Sequence, residues 1–201
     1  MPVLFCNMKG VAFFLLCAFL LSACGNTKNA TDAIESPKHT KRTKPQKKQP
    51  QKQQRLSKQQ RKKYAALLHT SVDNITNHKL YLFIEKWWGV KYRYGGNSKE
   101  GVDCSGFAYL LYQEVYRQTI FRSSLQLFEN SKLVKRSKHL REGDFVFFAT
   151  NDKERSKTSH VGIYLVNDYF VHVSTQKGVT IDRLEDKYWK ERFIGGGRVR
   201  D

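Results

Sequence analysis

HVGIYLVNDYFVHVS, residues 160–174, reads as two short runs of Val, Ile, Tyr and Phe joined at Asn167-Asp168. β-branched and aromatic residues bounded by turn formers are the mark of strands, so the stretch predicts an antiparallel hairpin. GDFVFFA (143–149) and FIGGGRV (193–199) repeat the pattern on either side. Upstream the period changes. HKLYLFIEKWWGV (78–90) places Leu80, Phe83, Ile84, Trp87 and Trp88 at the spacing of one helix face. After the loop KYRYGGNSKEG (91–101), a second helix is expected from Cys104, with Asp103 as its N-cap and Phe107, Leu110, Leu111 and Val115 as its buried stripe. RSSLQLFEN (122–130) predicts a short third helix. Helices first and antiparallel strands second make an α+β domain, N-terminal helices packed on an antiparallel sheet.

The same hairpin carries His160 and His172, and its register decides whether they meet. A tight two-residue turn at Asn167-Asp168 would pair 166 with 169 and send the two rings to opposite faces. A common site requires a longer turn or a bulge.

The net charge of +18 is unevenly distributed. Residues 28–63 hold 13 Lys/Arg against Asp32 and Glu35, with almost nothing apolar to bury. The segment 24–63 is read as a basic, Gln- and Pro-containing tether that would span roughly 35 Å as a flexible coil. Good helix formers at 51–69 allow a helical piece there, but the stretch up to 63 is assigned to the tether. The catalytic domain is assigned to 64–201, with regular packing expected from about Asn74. A basic patch interleaved with aromatics would point to nucleic acid. Here the charge sits in the tether, and no nucleic-acid partner is expected.

Ahead of the tether, Lys9 precedes an apolar run, Val11–Leu21, too short to span a bilayer but of the length of a signal-peptide core. It closes with Leu21-Ser22-Ala23-Cys24, which resembles the bacterial lipobox. Residues 1–23 are therefore read as a lipoprotein signal peptide. Cys24 becomes the lipidated N-terminus that ties the chain to a membrane, and Gly25 after it favours the outer membrane facing the periplasm. Cys6 and Cys17 leave with the signal, so Cys104 is the single free thiol of an exported protein, kept for chemistry rather than pairing.

A cysteine at a helix start meets unpaired backbone N–H groups and the positive end of the helix dipole. Both favour the thiolate, so a depressed pKa is expected. Of six histidines, His39 lies in the tether, and His69, His78 and His139 lie in polar surroundings. His160 opens one strand and His172 interrupts another, which makes these two the partners for the thiol.

YRYGGNSKEGVDCSGF (92–107), REGDFVFF (141–148), SHVGIYL (159–165) and FVHVST (170–175), in that order, resemble the NlpC-type (NlpC/p-sixty) cell-wall cysteine peptidases. The likeness runs from about 78 to 200 and is close to the Spr-type lipid-anchored murein endopeptidases. It implies a papain-like α+β fold and peptidoglycan stem peptides as substrate, with no cofactor or metal and a monomeric enzyme. It implies Cys104 as nucleophile, His160 as general base and acid, and His172 as the residue that orients His160. Tyr92 would supplement the oxyanion donors, and Asp103 and Ser105 would line the substrate groove. Physically, Asp103 serves equally as a helix cap. Phe121 stands where the family usually has proline before Arg122-Ser123-Ser124. The scissile bond stays open between a D,D cross-link and γ-D-glutamyl-diaminopimelate. Three other readings compete: an amidase or acyltransferase on a non-wall substrate, a non-catalytic wall-binding module, and a zinc site built from Cys104, His160 and His172. The last lacks any closely spaced ligand pair.

Overall fold

The computed structural model describes residues 55–152 and 157–200. The signal peptide, Cys24 and the tether as far as residue 54 lie outside the described residues.

Six antiparallel strands form the sheet: β3 (Lys132–Val134), β4 (Phe145–Phe148), β5 (His160–Tyr164), β6 (Tyr169–Ser174), β7 (Gly178–Arg183) and β8 (Phe193–Arg198). Their order is β3-β8-β4-β5-β6-β7. A small ribbon of β1 (Asn97–Ser98) and β2 (Gly101–Val102) precedes them. One face of the sheet is covered by α1 (Lys58–Leu67), α2 (His78–Trp87) and α3 (Cys104–Leu111). Strand alternation divides β4 between two cores. Phe145 and Phe147 pack with the helices. Val146 and Phe148 face the other side with Phe170, Leu184 and Trp189, the last from the short helix α5 (Lys187–Lys190). The α+β class expected from the sequence is the class observed.

The helices expected from 78, from 104 and over 122–130 are present, the last as α4, which starts two residues later (Ser124–Asn130). α2 buries Leu80, Phe83, Ile84 and Trp87 on one face, and Phe107 of α3 packs on Phe83 with ring centroids 5.5 Å apart. Beyond Leu111 the helix widens into a π-turn, Tyr112–Tyr116, which lets Tyr112 stack on Phe145 and donate to Gly143 O at 2.7 Å.

The boundary at 63/64 is corrected. α1 starts at Lys58 behind a capping box, in which the Ser57 hydroxyl accepts from Gln60 N and the Gln60 side chain accepts from Ser57 N. Leu56, Tyr64, Ala65 and Leu68 are buried in the main core, and the Tyr64 hydroxyl donates to Glu85 at 2.8 Å. The last turns of the assigned tether are thus part of the domain. Its few apolar residues are diluted among Lys, Gln and Arg, which hides the buried face in the sequence.

The hairpin between β5 and β6 takes the bulged route. Asn167 and Asp168 both have positive φ, 52° and 64°, as a type I′ turn requires. Tyr169 N donates to Val166 O (3.0 Å), while Leu165 N rather than Val166 N donates to Tyr169 O (2.8 Å). Leu165 and Val166 therefore share one partner, a one-residue bulge. The pairing continues as Tyr164↔Phe170 and Ile163↔Val171, which returns His160 and His172 to the same face. α1 helps hold this turn, since Asn167 Nδ2 donates to Leu68 O and His69 O at 3.2 and 2.7 Å.

Candidate active site

Where the start of α3 meets β5, β6 and β7, a cavity of about 550 Å³ opens, lined by Tyr92, Cys104, His160, His172, Asp182 and Trp189 among others. Cys104 is the free cysteine of the described residues and is half-buried. His160 Nε2 and His172 Nδ1 lie 3.0 Å apart, a direct hydrogen bond between rings set nearly at right angles. His172 is fully buried, and its Nε2 lies 3.0 Å from Asp182 Oδ2. Trp189 closes this face: its indole N–H donates to Asp182 Oδ2 at 3.1 Å, and its ring stacks on His160.

The expected depressed thiol is not what the structure shows. Burial pushes the Cys104 thiol up and the Asp103 carboxylate adds to this, outweighing the backbone N–H groups of Val161, Ser105 and Cys104 itself. Burial also holds His160 well below its ordinary value; the charge of His172 acts the same way, and Asp182 opposes them. At neutral pH the cavity therefore holds a neutral thiol at Cys104 and a neutral imidazole at His160. The Tyr92 hydroxyl is pushed up by burial, then by Cys104 and Asp103, so it remains a donor at neutral pH.

Asp103 and Ser105 do not line the cavity. Asp103 Oδ1 accepts from Gly106 N (2.7 Å), the Ser105 hydroxyl (3.2 Å) and Arg122 Nη1 (2.7 Å), and Oδ2 accepts from Gly95 N (2.8 Å). Both oxygens accept bonds from the chain, so Asp103 caps the helix within a buried network. Arg122 completes the network through Ser105 Oγ and Gly96 O, each at 2.8 Å. Phe121, next to it, is exposed, and Arg122 reaches inward to Asp103. This network also explains Gly106. A Cβ there would collide with Gly96 O and the Arg122 guanidinium, so the residue is dictated by packing.

Two residues of the site were not anticipated, Asp182 and Trp189. GVTIDR (178–183) does alternate as a strand should, and an acid in it ten residues after His172 was the available signal. Nothing local tells that this acid sits on the histidine face. That follows from the β6–β7 register, which pairs His172 with Thr180 and Phe170 with Asp182. The zinc arrangement does not fit, because both ring nitrogens of His172 are engaged, with His160 and Asp182. Among the described residues no His, Cys, Asp and Glu group has the geometry to hold a metal.

Residues 89–198 match the NlpC/P60 family. A relative from Escherichia coli K12 named murein DD-endopeptidase MepS/murein LD-carboxypeptidase is 43% identical over 113 residues, covering 56% of this chain and 57% of its own length. A second protein of that strain, named probable endopeptidase NlpC, is 35% identical over 116 residues, 58% of this chain and 73% of its own. Among solved structures, an NlpC/P60 family protein from Bacillus cereus ATCC 10987 aligns with a TM-score of 0.55 at 29% identity, over 61% of this chain and 40% of its own. The chain thus spans a little over half the length of the first of these relatives. With the matched segment running from the loop after α2 to the last strand, and the cavity residues all inside it, the chain belongs to the NlpC/P60 family.

Proposed function

We propose that this protein is a peptidoglycan endopeptidase that cuts stem-peptide cross-links by thiol chemistry. The observation that carries the reading is the direct His160–His172 hydrogen bond in the cavity that Cys104 lines. His160 takes the thiol proton as sulfur attacks the scissile carbonyl carbon, and the carbonyl oxygen becomes an oxyanion. The Tyr92 hydroxyl and backbone N–H groups at the start of α3 donate to it. The imidazolium then protonates the departing amine as the C–N bond breaks, leaving a thioester on Cys104. Water, deprotonated by His160, releases the acid and the thiol. His172 holds the His160 ring in register throughout.

The named activity of the 43% identical relative favours a D,D cross-link as the bond. A mesh substrate also gives a reason for the N-terminal segment. Cys24 would carry lipid, placing the chain at the outer membrane facing the periplasm, and the basic tether would let the monomeric domain reach the wall. Digestion of purified murein by the full chain and by Cys104→Ala, with the fragments read by mass spectrometry, tests the reading. New D,D-cleaved fragments from the wild-type chain alone are expected. Equal fragments from both proteins would remove Cys104 from the mechanism. Binding of both proteins without cleavage would make this a wall-binding module. Incorporation of a labelled fatty acid, lost in Cys24→Ala, tests the anchor.

A further inference from the structure

We propose that Asp182 sets the direction of the hydrogen bonds in the histidine pair, acting as a positioning residue that leaves His160 Nδ1 as the basic nitrogen. The proposal rests on the reading of His160 as the base for Cys104.

An ionised carboxylate can only accept. Burial works against the charge of Asp182, but the hydrogen bond from His172 outweighs it, the Trp189 indole N–H and the Lys177 ammonium add to that bond, and the carboxyl is held at about 2. The proton between His172 Nε2 and Asp182 Oδ2, 3.0 Å apart, therefore belongs to Nε2. In the neutral ring this leaves Nδ1 of His172 as a lone pair, so the 3.0 Å contact with His160 Nε2 is a bond donated by His160. Neutral His160 then has its lone pair on Nδ1. That nitrogen adjoins the ring's attachment to the backbone, and the backbone N–H of the next residue, Val161, reaches the Cys104 thiol.

The carboxylate is itself aimed. The Trp189 indole N–H donates to the same Oδ2 at 3.1 Å, while Lys177 Nζ lies 3.5 Å from Oδ1. The other charged and titratable groups lining the cavity are Tyr92, Cys104 from α3, Lys177 from the turn before β7, Asp182 from β7, and Asp186 and Tyr188 at α5, which also contributes the neutral Trp189. Without the acceptor at 182, His172 is free to carry its proton on Nδ1 and donate it to His160 Nε2. His160 then holds its proton on Nδ1, the nitrogen that should receive one from sulfur, and the base is blocked. The family resemblance ends its triad at His172 and does not reach this residue.

The experiment is long-range ¹H–¹⁵N NMR of the histidine side chains in the full chain, together with kcat/KM and KM on a cross-linked peptide dimer, for wild type, Asp182→Ala and Asp182→Asn. Wild type should show His160 and His172 both protonated on Nε2. In Asp182→Ala, part or all of the His160 population should shift its proton to Nδ1, and kcat should fall by about 100-fold with KM little changed. Asp182→Asn should fall between the two, since its amide presents either an acceptor or a donor to His172. If Asp182→Ala does not fold, Asp182→Leu, which fills the same space and offers no acceptor, carries the test in its place. Retention of the Nε2 tautomer of His160 in a folded variant overturns the proposal, as does a kcat within about threefold of wild type. The tautomer readout does not depend on the substrate, so a failure of the murein reading is distinguishable from a failure of this one.

Discussion

The two halves of the site are built by different means. Cys104 is placed by local chemistry: the acid one residue before it caps the helix, accepting from Gly95 N and Gly106 N close by in the chain, and Arg122 braces that acid. The histidine pair is placed by register: a bulge at Leu165–Val166, a left-handed turn at Asn167-Asp168 and the pairing of β6 with β7. A local device tolerates distant change and fails when its own cap is broken. A register device can fail from a residue far from the chemistry, because shifting one strand by one position turns every side chain over.

The largest effect separates the halves by removing one member of each. Cys104→Ala and His160→Ala should each lower turnover by about 1,000-fold or more, while their double variant loses little beyond either single change, because the residues act in one step. Additive losses would mean that thiol and imidazole work independently. The resting state gives the pair a second signature. With the thiol raised by burial and the imidazole lowered, Cys104 should show no thiolate absorbance at neutral pH. Its alkylation by iodoacetamide should accelerate only above the ordinary thiol range. A thiolate signal at neutral pH would instead indicate a preformed ion pair.

Breaking the local device comes next. Arg122 is partly exposed, but the Asp103 carboxylate it pairs with is buried. Arg122→Ala leaves that charge without its cation and should cost about 2–3 kcal/mol of stability, read by urea unfolding, with the histidine tautomers unchanged. Asp103→Asn keeps an acceptor for Gly106 N and should cost less. A loss of activity in either variant without a loss of stability would return Asp103 to the substrate groove.

The register device has its own pH signature. The folded-state values of Asp182 and His160 are both depressed, so each favours the fold most above its ordinary range and loses that advantage as pH falls. For His160 the loss begins below about 6.5. For Asp182 it runs from the ordinary carboxylate range near 3.8 down to about 2 and amounts to about 2 kcal/mol. Acid should therefore erode stability from about 6.5 downward, and Asp182→Asn should remove the part of the loss that falls between about 3.8 and 2.

What the sequence disclosed divides along the same line. The helix start at Cys104, the cap at Asp103 and the four strand runs were legible because each is encoded within ten residues. The sequence posed the register problem of His160 and His172 but left it open, since a tight turn and a bulged turn have the same residues. α1 was hidden because Leu56, Tyr64, Ala65 and Leu68 are too few among charged neighbours to mark a face. The depressed thiol was expected from the helix end alone. Burial, which proved the larger influence, is a property of the closed fold.

The smallest predicted effect joins the two devices through that hidden helix. Asn167 does two things: it adopts φ of 52° and its amide donates to Leu68 O and His69 O at the end of α1. Asn is among the few residues that enter the left-handed region readily, and Gly enters it at no cost. Asn167→Gly thus removes the hydrogen bonds and keeps the turn, whereas Asn167→Ala removes both. The Gly variant should lose about 1 kcal/mol, the Ala variant about 1–2 kcal/mol. If α1 stabilises the turn without dictating its register, the His160–His172 coupling should survive in both and turnover should fall less than about threefold. A large drop in turnover in the Gly variant alone would mean that the helix following the tether sets the register itself, and the domain would then need α1 for catalysis as well as for stability.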